Sequence, residues 1–166
     1  IEGIGLVSVN LDGFFVTYSI GLITAKIGED EIKVCSIPAV VILKLIAYDD
    51  RPEHRPSDPI DIDSIIAYYP KIETEMIWDE YSFLYDDKLD HKETGIKVLG
   101  YEMSKIIIQN EKLTQKILDI LSASVALETR LAEQMIQDAV KETLESKVNI
   151  LQLLKVGIEE GLKTMP

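Results

Sequence analysis

The chain has 166 residues and a formal net charge of −12, with 29 acidic against 17 basic residues. This length is enough for one domain with a buried core, and for a helical appendage beside it. The acidic balance argues against broad nonspecific binding of nucleic acids, but it is compatible with a local basic site or a basic protein partner. The single cysteine excludes an internal disulfide framework, which fits the reducing cytoplasm.

The first 35 residues predict a short antiparallel pair of strands. Residues 11–20 are apolar and fit either a short helix or a strand. Residues 21–27 predict a strand, a turn follows at 28–30, and Ile32 to Cys35 alternate between apolar and polar residues, as in a half-buried strand. Within that alternation we expect Cys35 to be a small core residue rather than a nucleophile.

A helix is predicted next, followed by a polar turn. Pro38 suits the first turn of a helix over residues 39–48, which is apolar on every side except at Lys44 and is therefore expected to be buried. Residues 49–56 form a polar turn with two prolines.

The second helix of this region is predicted to start at an aspartate. Asp58 is the expected N-cap and Pro59 the first helical residue, and Asp61 is favoured by the helix dipole. An amphipathic stripe follows, and Pro70 is expected to end the helix.

The remainder predicts a helical bundle, so we divide the chain into residues 1–80 and a bundle over residues 81–166. Residues 86–93 are a charged linker or a helix start. Helices are predicted over 93–109, over 113–127, and over 130–162 as one long helix or two. The apolar faces expected to be buried comprise Leu113, Ile117, Ile120, Leu121, Leu131, Met135, Ala139, Val140, Val148, Leu151, Leu154, Ile158 and Leu162.

Lys44 gives the sharpest argument for a site. An unpartnered ammonium is costly to bury, so a lysine inside an apolar helix should meet carboxylates or an anionic ligand. The alternative is that its long stem reaches water from the edge of the helix.

The polar turn between the two predicted helices contains residue types that are rare in this chain. Arg51 and Arg55 are two of its three arginines, and His54 is one of its two histidines. The arginines either bind phosphate or pair with neighbouring acids, and pairing is the commoner outcome. We expect His54 to be exposed and without a catalytic role.

Three aspartates follow the turn. Asp58 and Asp61 lie at the end of a buried helix face, where carboxylates are normally hydrogen-bonded or paired. Capping and the helix dipole also account for both without any function. Asp63 points to the opposite side and is predicted to be solvated.

Four aromatic residues further on are expected to pack in the core or contact a partner rather than stack a base, namely Trp78, Tyr81, Phe83 and Tyr85.

The motif around Lys44 resembles a family. Its elements are Ser36-Ile37-Pro38, Lys44-Leu45-Ile46-Ala47, Asp50-Arg51-Pro52, Arg55, Asp58 and Asp61. They are similar to the pattern L-P-x-L-x-x-L-K-L-x-A-x-x-D-R, then R-x-x-D-x-x-D, of abortive-infection nucleotidyltransferases. These belong to the polymerase-β superfamily and are often toxins of toxin–antitoxin pairs. Leu99 to Lys105 also resemble the start of a helix in that family's C-terminal bundle.

The resemblance implies an α+β fold, with part of a nucleotidyltransferase palm followed by a helical bundle. It implies that Lys44 contacts nucleotide phosphates with help from Arg51 and Arg55, and that Asp58 and Asp61 support or complete the catalytic site. The implied cofactors are magnesium and a nucleoside triphosphate, and the implied reaction moves a nucleoside monophosphate to an acceptor such as RNA. An antitoxin protein is the implied protein partner.

One departure separates the chain from this family. No G-S followed by D-x-D precedes Lys44, so the metal ligands are expected outside this chain, and the visible residues alone are expected to be inactive. The competing interpretation is a non-catalytic helical module that binds a protein, in which the Lys44 cluster only ties two helices together. No run of residues is apolar enough to span a bilayer, so no membrane partner is expected.

Overall fold

The computed structural model describes residues 12–126, 130–137 and 140–164. Within these ranges the chain is mostly helical and contains one two-stranded antiparallel sheet, a layout compatible with an α+β fold. The helices are α1 (Asp12–Ile20), α2 (Ile37–Asp50), α3 (Asp58–Ile72), α4 (Thr74–Glu80), α5 (His91–Ile107), α6 (Glu111–Val125), α7 (Arg130–Gln134) and α8 (Leu144–Thr164), and the strands are β1 (Leu22–Ile27) and β2 (Asp30–Cys35).

The N-terminal segment forms a helix and then the predicted hairpin. Of the two alternatives for residues 11–20, the described part, 12–20, adopts the helix. The strands pair antiparallel with Ile27 opposite Asp30. The two-residue loop between them needs a left-handed residue, which Gly28 supplies with a φ of 66°.

The expectation that Cys35 is a core residue is wrong. Its side chain is exposed, and β2 is exposed along most of its length. The physical reason is that the described hairpin has only two strands and no layer packed over β2, so period-two alternation does not by itself bury a face.

Helix α2 confirms the predicted buried helix and extends to Asp50. The Ser36 hydroxyl caps its start by accepting a hydrogen bond from the Ala39 N–H. The polar turn is correspondingly shorter and contains a single 3-10 turn, Pro52–His54.

Helix α3 differs from the prediction at both ends. Its N-cap is Ser57, which makes no side-chain capping bond, so Asp58 is the first helical residue instead of the cap. Pro70 lies inside the helix, which continues to Ile72. Pro70 is also buried against Gly95 of α5, where an added Cβ would lie 2.6 Å from the proline ring. Tertiary packing of this kind often overrides local propensity.

The C-terminal helices form the predicted bundle, built around an unusually close contact of α5 with α8. An added Cβ on Gly100 would lie 2.1 Å from the Leu154 carbonyl oxygen, and one on Gly157 would lie 1.9 Å from the Lys97 carbonyl oxygen. The two backbones therefore approach as closely as glycine allows. Of the two alternatives for residues 130–162, the described residues form two helices, α7 and α8.

Most of the predicted apolar residues are buried or partly buried in one core. Val140 is an error, since 93% of it is exposed, while Ala139 and Leu127 lie outside the described residues. The core takes side chains from both sides of residue 80, and the proposed division into two domains stays a prediction. Among the described helices, none is long and apolar enough to cross a membrane.

Candidate functional site

The Lys44 side chain meets the two aspartates that the sequence placed beside it. Its Nζ donates to Asp58 Oδ1 at 2.9 Å and to Asp61 Oδ2 at 2.7 Å. Lys44 comes from the middle of α2, whereas both acids come from the first turn of α3. Of the two expectations for this lysine, the structure favours carboxylate pairing over a solvated ammonium.

This Lys44 cluster, defined as Lys44, Asp58 and Asp61, lies at the edge of the core. The exposed fractions of the side chains are 25% for Lys44, 7% for Asp58 and 49% for Asp61. Burial lowers the pKa of the Lys44 ammonium, but the hydrogen bonds and charges of Asp61 and Asp58 outweigh this effect, and the pKa is raised. Lys44 is therefore a fixed positive charge on a side chain that is one quarter exposed.

Asp58 leaves one acceptor unused. Its Oδ2 is buried and has no hydrogen-bond partner among the described residues. Buried carboxylate oxygens are nearly always satisfied, since an unmet one costs on the order of 1–3 kcal/mol. The cluster has two carboxylates and one ammonium, so it carries one net negative charge of its own.

The turn between α2 and α3 places both predicted arginines beside this cluster in the chain. Arg51 ends α2 and is half-buried, and Arg55 follows the 3-10 turn and is exposed. In the described part of the chain neither guanidinium forms an ion pair, contrary to the commoner outcome expected for arginines. His54 is exposed, as expected, with its Nε2 3.7 Å from Glu53.

Asp63 is the clearest correction to the sequence analysis. The residue is buried, and both of its carboxylate oxygens accept from Lys147 Nζ at 2.8 Å. Lys147 also donates to Glu142 at 2.8 Å. Asp63 lies on the side of α3 opposite Asp61, as predicted, but that side faces α8 rather than water. The only sequence signal was Lys147 itself, which stands in a predicted helix beside buried positions.

Two further polar networks tie α5 to its neighbours. Lys97 donates to the Leu84 carbonyl oxygen at 3.3 Å and pairs with Glu160 at 3.0 Å. Lys105 donates to the Tyr81 hydroxyl at 2.5 Å, and Tyr81 in turn donates to Glu102. These contacts link α5 to α8 and to the segment before α5, which is a structural role.

The aromatic residues divide between core and surface. Tyr81 is buried, as expected, and its ring lies edge-on to Tyr101 at a centroid distance of 5.7 Å. Trp78 stacks on Tyr85 at 4.8 Å and on His91 at 5.4 Å, but it remains about half exposed. Phe83 is mostly exposed.

An apolar groove lies between β2, α2 and α3. It encloses about 450 Å³ and is lined by Cys35, Ile37, Val40, Ser64, Ile65, Tyr68 and Ile72. Helical spacing places Val40 on the same side of α2 as Lys44, and Ile65 on the same side of α3 as Asp61. The groove therefore continues toward the Lys44 cluster.

Comparisons with known proteins give no family for this chain. No protein-family model matches it, and no curated protein or solved structure compared with it is similar. The function of the chain is therefore inferred from the geometry of the described residues.

Proposed function

We propose that the chain is nucleotidyltransferase-like and that it binds the phosphates of a nucleoside triphosphate at Lys44, Arg51 and Arg55. One observation carries the proposal. In a protein with 29 acidic residues, two arginines beside the Lys44 cluster form no ion pair within the described ranges. Guanidinium groups bind phosphate through paired hydrogen bonds, so such arginines are suited to an anionic ligand.

The roles of the individual side chains follow from their contacts. Asp58 and Asp61 fix the position of the Lys44 ammonium through bonds of 2.9 Å and 2.7 Å. The exposed side of Lys44 can then donate to a phosphate oxygen, while Arg51 and Arg55 neutralise further phosphate charge. In this arrangement the two aspartates position the lysine, which corresponds to the supporting role that the family resemblance implies.

The described residues do not fit a magnesium site. Both aspartates of the cluster are bonded to Lys44, and within the described ranges no group of three or more His, Cys, Asp and Glu side chains is placed to hold a metal ion. The palm and the transfer of a nucleoside monophosphate to RNA or another acceptor would require metal-binding carboxylates in addition to these. We therefore propose nucleotide binding and derive no transfer step.

Calorimetric titration with each of the four ribonucleoside triphosphates tests the proposal. The wild type should bind at least one of them, and Lys44→Met should weaken that binding at least tenfold, which corresponds to about 1.4 kcal/mol. Lys112→Met removes the same charge from an exposed position on α6 and serves as the matched control. A wild type that binds no nucleotide refutes the proposal. Unchanged affinity in Lys44→Met, together with a large loss of stability, would assign the cluster to structure instead.

The apolar groove favours a second candidate function, a protein-binding module. Tyr68 and Ile72 line the groove and are 59% and 64% exposed, and Phe15 and Tyr18 of α1 are exposed as well. Exposed apolar surface of this kind commonly marks a protein contact, and the charge of −12 favours a basic partner such as an antitoxin. Ile65→Asp should abolish binding to such a partner, whereas Lys44→Met should leave it unchanged. The opposite pattern would exclude the groove as the binding surface.

A further inference from the structure

Within the described ranges, none of the three arginines has a carboxylate partner. Among the described residues, the guanidinium groups of Arg51, Arg55 and Arg130 form no ion pair. By contrast, carboxylates pair with at least seven of the lysines in the same ranges, namely Lys26, Lys44, Lys97, Lys105, Lys116, Lys147 and Lys155. With 29 acids available, unpaired arginines need an explanation, since arginine forms the better ion pairs of the two.

The third arginine is brought to the site by a contact between α2 and α7. Tyr48 is buried in α2, and its hydroxyl donates to Gln134 Oε1 at 2.9 Å. Gln134 is the last residue of α7 and Arg130 the first, so they stand four residues apart on the same side of that helix. The Tyr48–Gln134 bond therefore holds the end of α7 against α2, with Arg130 one helical turn away from Gln134.

Tyr48 lies between Lys44 and Arg51 along the chain. Lys44 precedes it by four residues, so these two side chains share one side of α2, and Arg51 is the C-cap residue at the end of that helix. Burial raises the pKa of the Tyr48 hydroxyl, and the positive charge of Arg130 opposes that shift. Arg130 is exposed and accessible to a ligand.

We propose that Arg130 belongs to the same anion-binding surface as Lys44 and Arg51, and that this surface takes a linear polyphosphate. Lys44 and Arg51 are separated by about 10 Å along the helix axis, a span that suits a chain of phosphates better than a single phosphate. A residue of the C-terminal bundle thus completes a site that the sequence placed only in the N-terminal half. The anion site stands on its own observations, while the identity of the ligand as a nucleotide rests on the proposed function.

Titration with inorganic tripolyphosphate, followed by a nucleoside triphosphate, tests this inference. Arg130→Gln should weaken tripolyphosphate binding at least tenfold, to a similar degree as Arg51→Gln, and Arg130→Lys should retain part of the affinity. Lys163→Gln removes one exposed charge from the far end of α8 and should have less than a twofold effect. Circular dichroism and the urea midpoint check that each variant is folded, which an exposed residue should not alter.

The outcomes separate the two proposals. If Arg51→Gln weakens binding tenfold and Arg130→Gln changes it less than twofold, Arg130 is not part of the site, whereas the nucleotide proposal survives. If tripolyphosphate binds as expected and no nucleoside triphosphate does, the anion site stands and the nucleotide proposal fails. A wild type that binds neither compound overturns both.

Discussion

Replacing Asp63 by asparagine should destabilise the protein strongly, although the two side chains have nearly the same shape. The Lys147 side chain is only 4% exposed, and its ammonium bonds to both Asp63 oxygens and to Glu142, all at 2.8 Å. In Asp63→Asn one acceptor becomes an NH₂ group that faces the ammonium. Breaking a buried ion pair from one side typically costs about 3–5 kcal/mol. Since Glu142 still balances the charge of Lys147, we expect the free energy of unfolding to fall by about 3 kcal/mol, the lower end of this range.

Urea unfolding followed by circular dichroism measures this loss. With a slope of about 2 kcal/mol per molar urea, the midpoint should fall by about 1.5 M. The control is Glu31→Gln, because Glu31 forms a 3.3 Å pair with Lys26 on the exposed hairpin, and such pairs contribute less than about 1 kcal/mol. The double variant Asp63→Leu with Lys147→Met should recover most of the stability, as replacement of a whole buried pair often does. A loss below about 1 kcal/mol for Asp63→Asn would refute the argument that Lys147 depends on this partner.

Two further predictions use the same assay. Gly157→Ala should cost more than about 3 kcal/mol or prevent folding, because its Cβ would lie 1.9 Å from the Lys97 carbonyl oxygen; Gly28→Ala, with no atom near its added Cβ, should cost only about 1–2 kcal/mol of backbone strain. An equal loss for both would contradict the close contact of the helices. Burial and the hydrogen bond to Glu102 raise the pKa of Tyr81 to about 12, whereas the unfolded value is about 10. The unfolded state therefore ionises first, and stability should fall between pH 10 and 12. Tyr81→Phe should reduce that fall, and tyrosinate absorbance should show which group ionises; an unchanged slope would remove Tyr81 as its source.

Local signals in the sequence were enough to predict the elements that form the site. The hairpin follows from strand alternation on either side of Gly28, and α2 follows from Pro38 and a continuous apolar run. The meeting of Lys44 with Asp58 and Asp61 was also predictable, because an ammonium in an apolar helix requires a counter-charge and these acids open the next helix. In each case the deciding residues lie within about twenty positions of one another.

Contacts between distant segments explain the errors. Asp63 was predicted to be solvated, but its partner Lys147 lies 84 residues further along the chain. Pro70 was expected to end α3, but its ring packs against Gly95 of α5. Cys35 was expected in the core, but the described hairpin has no layer over it. The residue pattern of one helix or strand does not show where a neighbouring element packs. None of these outcomes could therefore be predicted from local sequence.

The two lysine–aspartate clusters have nearly the same composition, and their difference is what argues for function at Lys44. The Lys147 ammonium is buried and donates to three carboxylate oxygens. The side chains of Lys147 and Asp63 are 4% and 7% exposed. Lys44 has two acceptors and is 25% exposed, and Asp61 is 49% exposed. A structural ion pair gains from complete burial only if every partner is satisfied, a condition that the Lys147 cluster meets. The Lys44 cluster does not meet it, since Asp58 Oδ2 is left without a partner in the described residues. Charge removed at Lys147 should consequently change stability alone, whereas charge removed at Lys44 should change anion binding more than stability.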